Sequence, residues 1–179
     1  LPGTTPVAAN SPAMWDAVRA AGQRIVQMVW DDLKPRDIMT EGAFANAVRA
    51  VLAVGGSVNC IKHLQAVATE AGAGVDVYHL FETLSLDTPV LAGVRPVGTH
   101  TIEEFEAAGG CRAVLKQLSP LLDLQALTVQ GSMLGEQLRG TQVANAELIR
   151  PLSRPVSTRP AITLLRGSLA PEFGIVKTG

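Results

Sequence analysis

Near Glu147 the chain changes character, and that change limits what it can fold into. IRPLSRPVSTRP is punctuated by Pro151, Pro155 and Pro160. Two β-like runs follow, Ala161 to Leu165 and Gly174 to Lys177, around a turn region from Gly167 to Pro171. Almost everything before this point has helical periodicity. A β segment of roughly 30 residues cannot build a core of its own. It has to pack on helices or pair with strands outside itself. The expectation is a helical layer followed by the opening of a second domain that these residues do not complete.

Composition points the same way. Hydrophobic residues make up 47% of the 179 positions, enough for a sizeable core, while charged residues reach only 17%, against about 25% in an average domain. A domain this size normally covers its surface with charge. Part of this surface is therefore expected to be covered by a partner subunit or by more of the same polypeptide. The chain starts at Leu1 rather than Met, which fits an interior stretch.

Fifteen Lys and Arg oppose sixteen Asp and Glu, with no basic run and few aromatic residues. That excludes a nucleic-acid platform of cationic groove and stacking rings. No apolar run approaches the ~18 residues of a membrane span, and no basic stretch leads into an apolar leader. Two cysteines, Cys60 and Cys111, are too few for a disulfide framework, so a reducing cytoplasm is expected.

Punctuation marks the helices. Ser11-Pro12 is a cap followed by proline at the first helical position, and the apolar rhythm runs from Ala13 to about Asp32, with Pro35 closing it. Thr40 caps Glu41 to Val54, and Gly55-Gly56 breaks the chain. Ser57 caps Val58 to Ala71, with Gly72 at the stop. A shorter helix follows from Val77 to Leu84, then an irregular stretch from Pro89 to Gly98. Thr101 and Glu104 form a capping box for a helix ending at Gly109-Gly110, and Cys111 to Leu118 is a further helix. Ala126 to Gln130 reads as a strand, and Ser132 caps a short helix ending near Gly140. Residues 1–11 read as a loop or linker.

The familiar catalytic signatures are absent: no phosphate-binding glycine loop, no H-E-x-x-H, no C-x-x-C, no G-x-S-x-G. The most suggestive stretch is Gly55-Gly56-Ser57-Val58-Asn59-Cys60-Ile61-Lys62-His63. A diglycine before a helix start presents free N–H groups and a positive dipole end, suited to a carboxylate or phosphate. A diglycine before a helix is more often just a tight turn. Asn59 and His63 are four apart and share a helix face. Cys60 with His63 supplies two ligands where zinc wants three or four, so Cys60 reads as a small buried hydrophobe. Ser57, Asn59 and His63 are the candidate substrate-binding residues.

Taken in order, several stretches resemble the dihydroxy-acid dehydratase / 6-phosphogluconate dehydratase family, which includes sugar-acid dehydratases. They are Arg36-Asp37-Ile38-Met39-Thr40 with Phe44-Ala45-Asn46-Ala47, then GGSVNCIKHLQAVATEAG from Gly55 to Gly72, and Thr88-Pro89-Val90-Leu91. Next come Pro96-Val97-Gly98, EEFEAAGG to Gly110, AVLKQL at 113–118 and LTVQGSMLGEQL at 127–138. Ile149-Arg150-Pro151-Leu152 and LLRGSLAPEFGIVK at 164–177 complete the set. Each piece alone is weak; the ordered set is specific. The chain departs from the pattern at Val58, where the family's GGSTN has threonine, and at Gly167-Ser168-Leu169, where Gly-Asn-Leu is usual.

The resemblance implies an α/β arrangement. Residues 1–147 correspond to the later part of an N-terminal domain, mainly helical with few short strands. Residues 148–179 correspond to the first strands of a C-terminal β-barrel-like domain. It implies a longer hydro-lyase that removes water from a 2,3-dihydroxy acid, either branched-chain or sugar-derived, to give a 2-keto acid. The full-length enzyme would use an iron–sulfur cluster and Mg²⁺, whose ligands lie outside this stretch, and would work as a homo-oligomer on a small hydroxy acid. No catalytic or metal residue carries over to these positions, and this segment alone is expected to bind no cofactor and to be inactive. The rival reading is a non-enzymatic structural or interaction module derived from that family. Ser57 and the adjacent N–H groups are expected to face the substrate, Asn59 to join them, and His63 to support Asn59 or backbone from one turn deeper.

Overall fold

The computed structural model describes residues 7 and 9–178; most of the expected N-terminal linker lies outside the described residues. Helix α1 (Pro12–Trp30) begins as its sequence dictates, with the Ser11 hydroxyl accepting from the Met14 N–H. Pro35 does not close α1. The helix ends at Asp31, Asp32 takes a left-handed φ of 51°, and Pro35 opens a short helix α2 (Pro35–Ile38). Proline is at home there because a first-turn N–H has no intrahelical acceptor.

Helix α3 (Glu41–Val54) is the spine, capped by Thr40 and ended by left-handed Gly55. Helix α4 (Asn59–Ala71) and helix α5 (Val77–Leu84) pack beside it. One cluster buries Phe44, Val48 and Leu52 of α3 against Ile61, Ala68, Val77, Phe81 and Ile162. A second cluster joins Ala53 to Leu91, Ala92, Phe105, Val114, Leu118, Leu148 and Ile149. Helix α3 contributes to both, which is why its apolar residues occupy more than one stripe. Its buried Asn46 donates to the Asp123 carbonyl at 2.8 Å and accepts from the Asp123 N–H at 2.9 Å, fixing a loop 77 positions away in sequence.

The Pro89–Gly98 stretch is irregular, as expected, yet its start is buried. Val90, Leu91 and Ala92 are at most 1% exposed. With no sheet around them, their backbone groups find partners singly: Leu91 N–H to the Ala53 carbonyl at 2.8 Å, Gly93 N–H to that of Leu148 at 2.8 Å, and Arg150 N–H to that of Leu91 at 2.9 Å. Helix α6 (Ile102–Ala107) carries the expected capping box, and helix α7 (Gly110–Leu118) follows.

Ala126 to Gln130 is a correction. It forms one bridge, Leu127 to Met133, and then turns at Gly131, whose φ is 74°. No neighbouring strand offers a ladder, so the alternation has nothing to pair with. Nor does Ser132 cap the next helix, α8 (Leu134–Gln137): Met133 holds that position, and the Ser132 hydroxyl accepts from Gln137 instead.

The C-terminal run forms an antiparallel hairpin, β1 (Ile162–Gly167) with β2 (Ala170–Lys177), in the register Ile162 to Lys177 and Leu164 to Ile175. Two strands make a hairpin, not a barrel. Its inner face docks on the α3–α5 cluster through Ile162, Leu164 and Ile175. Tyr78 meets Phe173 at a centroid distance of 4.7 Å, and Arg166 reaches Glu82 at 2.6 Å. The outer face leaves Leu165 and Val176 exposed, and Leu169 in the turn is wholly exposed. Along α1, likewise, only Met28 is buried. Among the described residues, α1 and the outer side of the hairpin are thus left largely uncovered.

Arg49 clamps Asp87 with two hydrogen bonds, at 2.8 and 3.0 Å, and Thr88 at 2.6 Å. That guanidinium holds the Asp87 carboxyl below its ordinary value of 3.8. A lowered carboxylate contributes stability at higher pH and loses it as pH falls below 3.8 toward the folded value. Asp87 is more than half exposed, so the contribution stays under about 1 kcal/mol. Asp87→Asn is expected to lower stability slightly at pH 7 and to leave it unchanged at pH 2, read from thermal melts across that range.

Candidate functional site

The turn after α3 is set by Gly55. Its φ of 60° and ψ of 47° let its N–H reach the Leu52 carbonyl at 3.2 Å, and the next N–H, of Gly56, reaches that of Val51 at 2.8 Å. A β-carbon on Gly55 would lie 2.5 Å from Val97 Cγ2 and 3.3 Å from Ala161 Cβ. Glycine is therefore required twice, for the left-handed backbone and for the close approach of two later segments. The diglycine is a working tight turn, whatever else it does.

Ser57 follows on the exposed side. Its hydroxyl oxygen accepts from the Asn59 N–H at 3.2 Å and its carbonyl from the Cys60 N–H at 3.0 Å. Helix α4 starts one residue later than expected, at Asn59, with Val58 already in the right-handed helical region. The serine still satisfies a first-turn donor, as an N-cap does.

Ser57 stands on the rim of an open cavity of about 510 Å³. Its walls are apolar, from Val54, Val94, Pro96, Ile102 and Phe105; its rim carries Ser57, Arg95, Lys177 and Cys111. The Lys177 ammonium donates to the Gly56 carbonyl at 2.9 Å, tying β2 to the turn, and Arg95 donates to the Thr99 carbonyl at 3.0 Å. Two cations and no carboxylate line this cavity. That charge balance suits an anionic ligand. Burial, followed by the nearby Glu106 charge, pushes the Cys111 thiol up, so it stays protonated and is a poor nucleophile.

Asn59 and His63 are exposed on α4 and line no part of this cavity. Among the described residues their side chains make no hydrogen bond. Arg95 and Lys177 were not singled out from the sequence. Nothing local marks them, because they reach the turn only when the 93–100 loop and the hairpin fold back onto it.

Among the described residues no group of three or more His, Cys, Asp or Glu gathers to hold a metal ion, and Cys60 and Cys111 are both free. The donor set of this chain does not fit an iron–sulfur cluster or Mg²⁺. No helix among the described residues is long and apolar enough to cross a membrane.

A family model described as the N-terminal part of dihydroxy-acid/6-phosphogluconate dehydratases matches residues 1–137. The chain belongs to this family. It is similar over nearly all its length to several members. The dihydroxy-acid dehydratase of Syntrophobacter fumaroxidans is 40% identical over 179 residues, covering 99% of this chain and 32% of that protein. The mitochondrial dihydroxy-acid dehydratase of Schizosaccharomyces pombe is 40% identical over 181 residues, 99% of this chain and 30% of its own length. That of Methanothermobacter thermautotrophicus is 38% identical over 180 residues, 100% and 33%. The chain therefore spans about a third of the length of the curated relatives it matches. Family membership is what the ordered motifs from Arg36 to Lys177 imply, and the relatives at this identity carry the dihydroxy-acid name.

Proposed function

We propose that the polypeptide carrying this chain is a hydro-lyase that dehydrates a 2,3-dihydroxy acid to a 2-keto acid. Identity near 40% across the whole chain to dihydroxy-acid dehydratases carries this reading. In that reaction the C2 proton leaves, the C3–O bond breaks, and the 3-hydroxyl departs as water. The resulting enol becomes the ketone. Base and cofactor ligands belong to the remaining two thirds of the polypeptide, and no step is assigned to a metal or cluster in this chain.

This chain supplies binding. The Gly55-Gly56-Ser57 turn meets the substrate carboxylate through the Ser57 and Val58 N–H groups and the Ser57 hydroxyl, the Gly55 and Gly56 N–H groups being committed to α3, while Arg95 and Lys177 raise the local positive potential. The apolar walls keep water from competing. Asn59 and His63 stand outside this cavity on the exposed face of α4, and they join the site only where the rest of the polypeptide closes over them. The rest of the polypeptide closes this open face, and the hairpin continues into the barrel-like domain.

Alanine at Ser57 or Asn59 in the complete polypeptide tests the assignment. Substrate contact predicts at least a tenfold fall in kcat/KM, about 1.4 kcal/mol, with the melting temperature nearly unchanged. A mere cap predicts the reverse: intact turnover and about 1 kcal/mol less stability. Full kcat/KM in both variants makes the turn architecture only. The 179-residue chain by itself is expected to show no dehydratase turnover and no visible cluster absorption after anaerobic reconstitution with iron and sulfide.

A further inference from the structure

Gly56 is held at both of its backbone polar groups. Its N–H donates to the Val51 carbonyl at 2.8 Å, and its carbonyl accepts from the Lys177 ammonium at 2.9 Å, across 121 positions of sequence. Lys177 is rooted at the base of the hairpin. It pairs with Ile162, which is fully buried. Beside it the Thr178 N–H donates to the Ala161 carbonyl at 2.9 Å, and the Thr178 hydroxyl to that of Pro160 at 3.1 Å. The lysine side chain thus leaves a fixed base and ends on a fixed carbonyl.

This contact adds little to stability. Lys177 is exposed, and ordering its flexible stem offsets the bond it makes. Its consequence is local and electrostatic. The Gly56–Ser57 bond is trans, so the Ser57 N–H points away from the carbonyl that Lys177 holds. A cation on that oxygen polarises the peptide and makes the N–H at its far end a stronger donor. The bond also fixes the plane of the peptide, and with it the direction of the N–H. Among the described residues the Ser57 N–H has no acceptor.

We propose that Lys177 is a positioning residue for substrate binding: through the Gly56 carbonyl it orients and polarises the Ser57 N–H that meets the substrate carboxylate. This rests on the turn acting as the carboxylate site. It makes the two rim cations unequal. Arg95 donates within its own loop, to the Thr99 carbonyl, and supplies charge alone. Lys177 supplies charge and also sets the donor, so the turn is complete only once the hairpin has docked.

Methionine at each rim cation, in the complete polypeptide working as the enzyme, separates the two roles. The substrate carboxylate keeps its charge throughout the reaction. A donor aimed at it binds substrate and transition state alike, and its loss raises KM rather than lowering kcat. Lys177→Met is expected to raise KM for the dihydroxy acid at least tenfold, with kcat within about twofold of the parent's and the melting temperature nearly unchanged. Arg95→Met removes the same charge from the same rim and is expected to raise KM by no more than about threefold. Salt at about 0.5 M should erase most of the Arg95→Met effect and leave most of the Lys177→Met effect, because screening acts on the charge and not on the orientation of the peptide. Lys177→Arg keeps a cation and a donor and should recover most of the loss. Titration with 2-hydroxy-3-methylbutanoate, a carboxylate with no 3-hydroxyl to lose, should rank the variants in the same order by Kd. Equal effects of Lys177→Met and Arg95→Met overturn the proposal and leave Lys177 as one charge of two. A fall in kcat and melting temperature at unchanged KM also overturns it, marking a purely structural tie. Should Lys177→Met fail to fold, Lys177→Gln beside Arg95→Gln makes the same comparison. A parent inactive on every 2,3-dihydroxy acid overturns the proposed function and this inference with it. A working parent whose KM is unchanged in Lys177→Met overturns this inference alone.

Discussion

Gly98→Ala is expected to destabilise the fold by about 3 kcal/mol or more, at the upper end of what overpacking costs. An added β-carbon would run into the Gly93 carbonyl and its Cα, which are main-chain atoms that no rotamer change can move aside. That carbonyl is also committed, accepting from the His100 N–H at 3.2 Å, while the Gly98 N–H donates to the Val94 carbonyl at 3.0 Å. The loop must open to admit one methyl group, and Val94, Arg95 and Pro96, which line the cavity beside Ser57, must move with it. Thermal melting of Gly98→Ala beside Gly167→Ala checks this. Gly167 has open space where its β-carbon would go, so its variant should stay within about 0.5 kcal/mol of the parent. Equal melting temperatures for the two would mean that the 93–98 approach is looser than described.

Phe81→Ala is expected to cost about 3–5 kcal/mol, the usual range for deleting a buried phenylalanine. Phe81 is 1% exposed and belongs to the cluster that joins α3, α4 and α5 to Ile162 of the hairpin. The cavity left behind would lie where β1 docks, so the hairpin should loosen before the helices do. The expected signature is a lowered melting temperature together with faster amide exchange along Ile162–Gly167. Phe81→Leu keeps most of the volume and should recover all but about 1.5 kcal/mol. A Phe81→Ala protein that melts with the parent would show that the hairpin docks without this cluster.

Helix ends were readable where the chemistry is local. Ser11 and Thr40 cap α1 and α3 because a side-chain oxygen reaches an N–H three residues on, a distance that sequence spacing sets. Thr101 and Glu104 complete their capping box for the same reason. Gly55 and Gly72 end helices because only glycine takes a left-handed φ at little cost. Pro35 and Ser132 were misread because each residue type suits two neighbouring positions, and which one it fills depends on where the preceding segment stops. The Ala126–Gln130 alternation was misread because a strand exists only with a partner, and partners are not encoded within five residues.

By itself, the sequence determined the helical register, the stops at the diglycine and the ordered motifs that place the chain in its family. Each of these follows from neighbours within a turn or two, or from residue order. Only the tertiary structure decided what surrounds Ser57. Arg95 approaches from a loop 38 positions later in the chain, and Lys177 from a strand 120 positions later. Their meeting depends on Leu91 and Ile162 being buried in two clusters that share one helix, α3. Apolar burial is non-directional and drives both segments inward. Shape complementarity along α3 selects which residues end up on the cavity rim, and no local pattern records that choice.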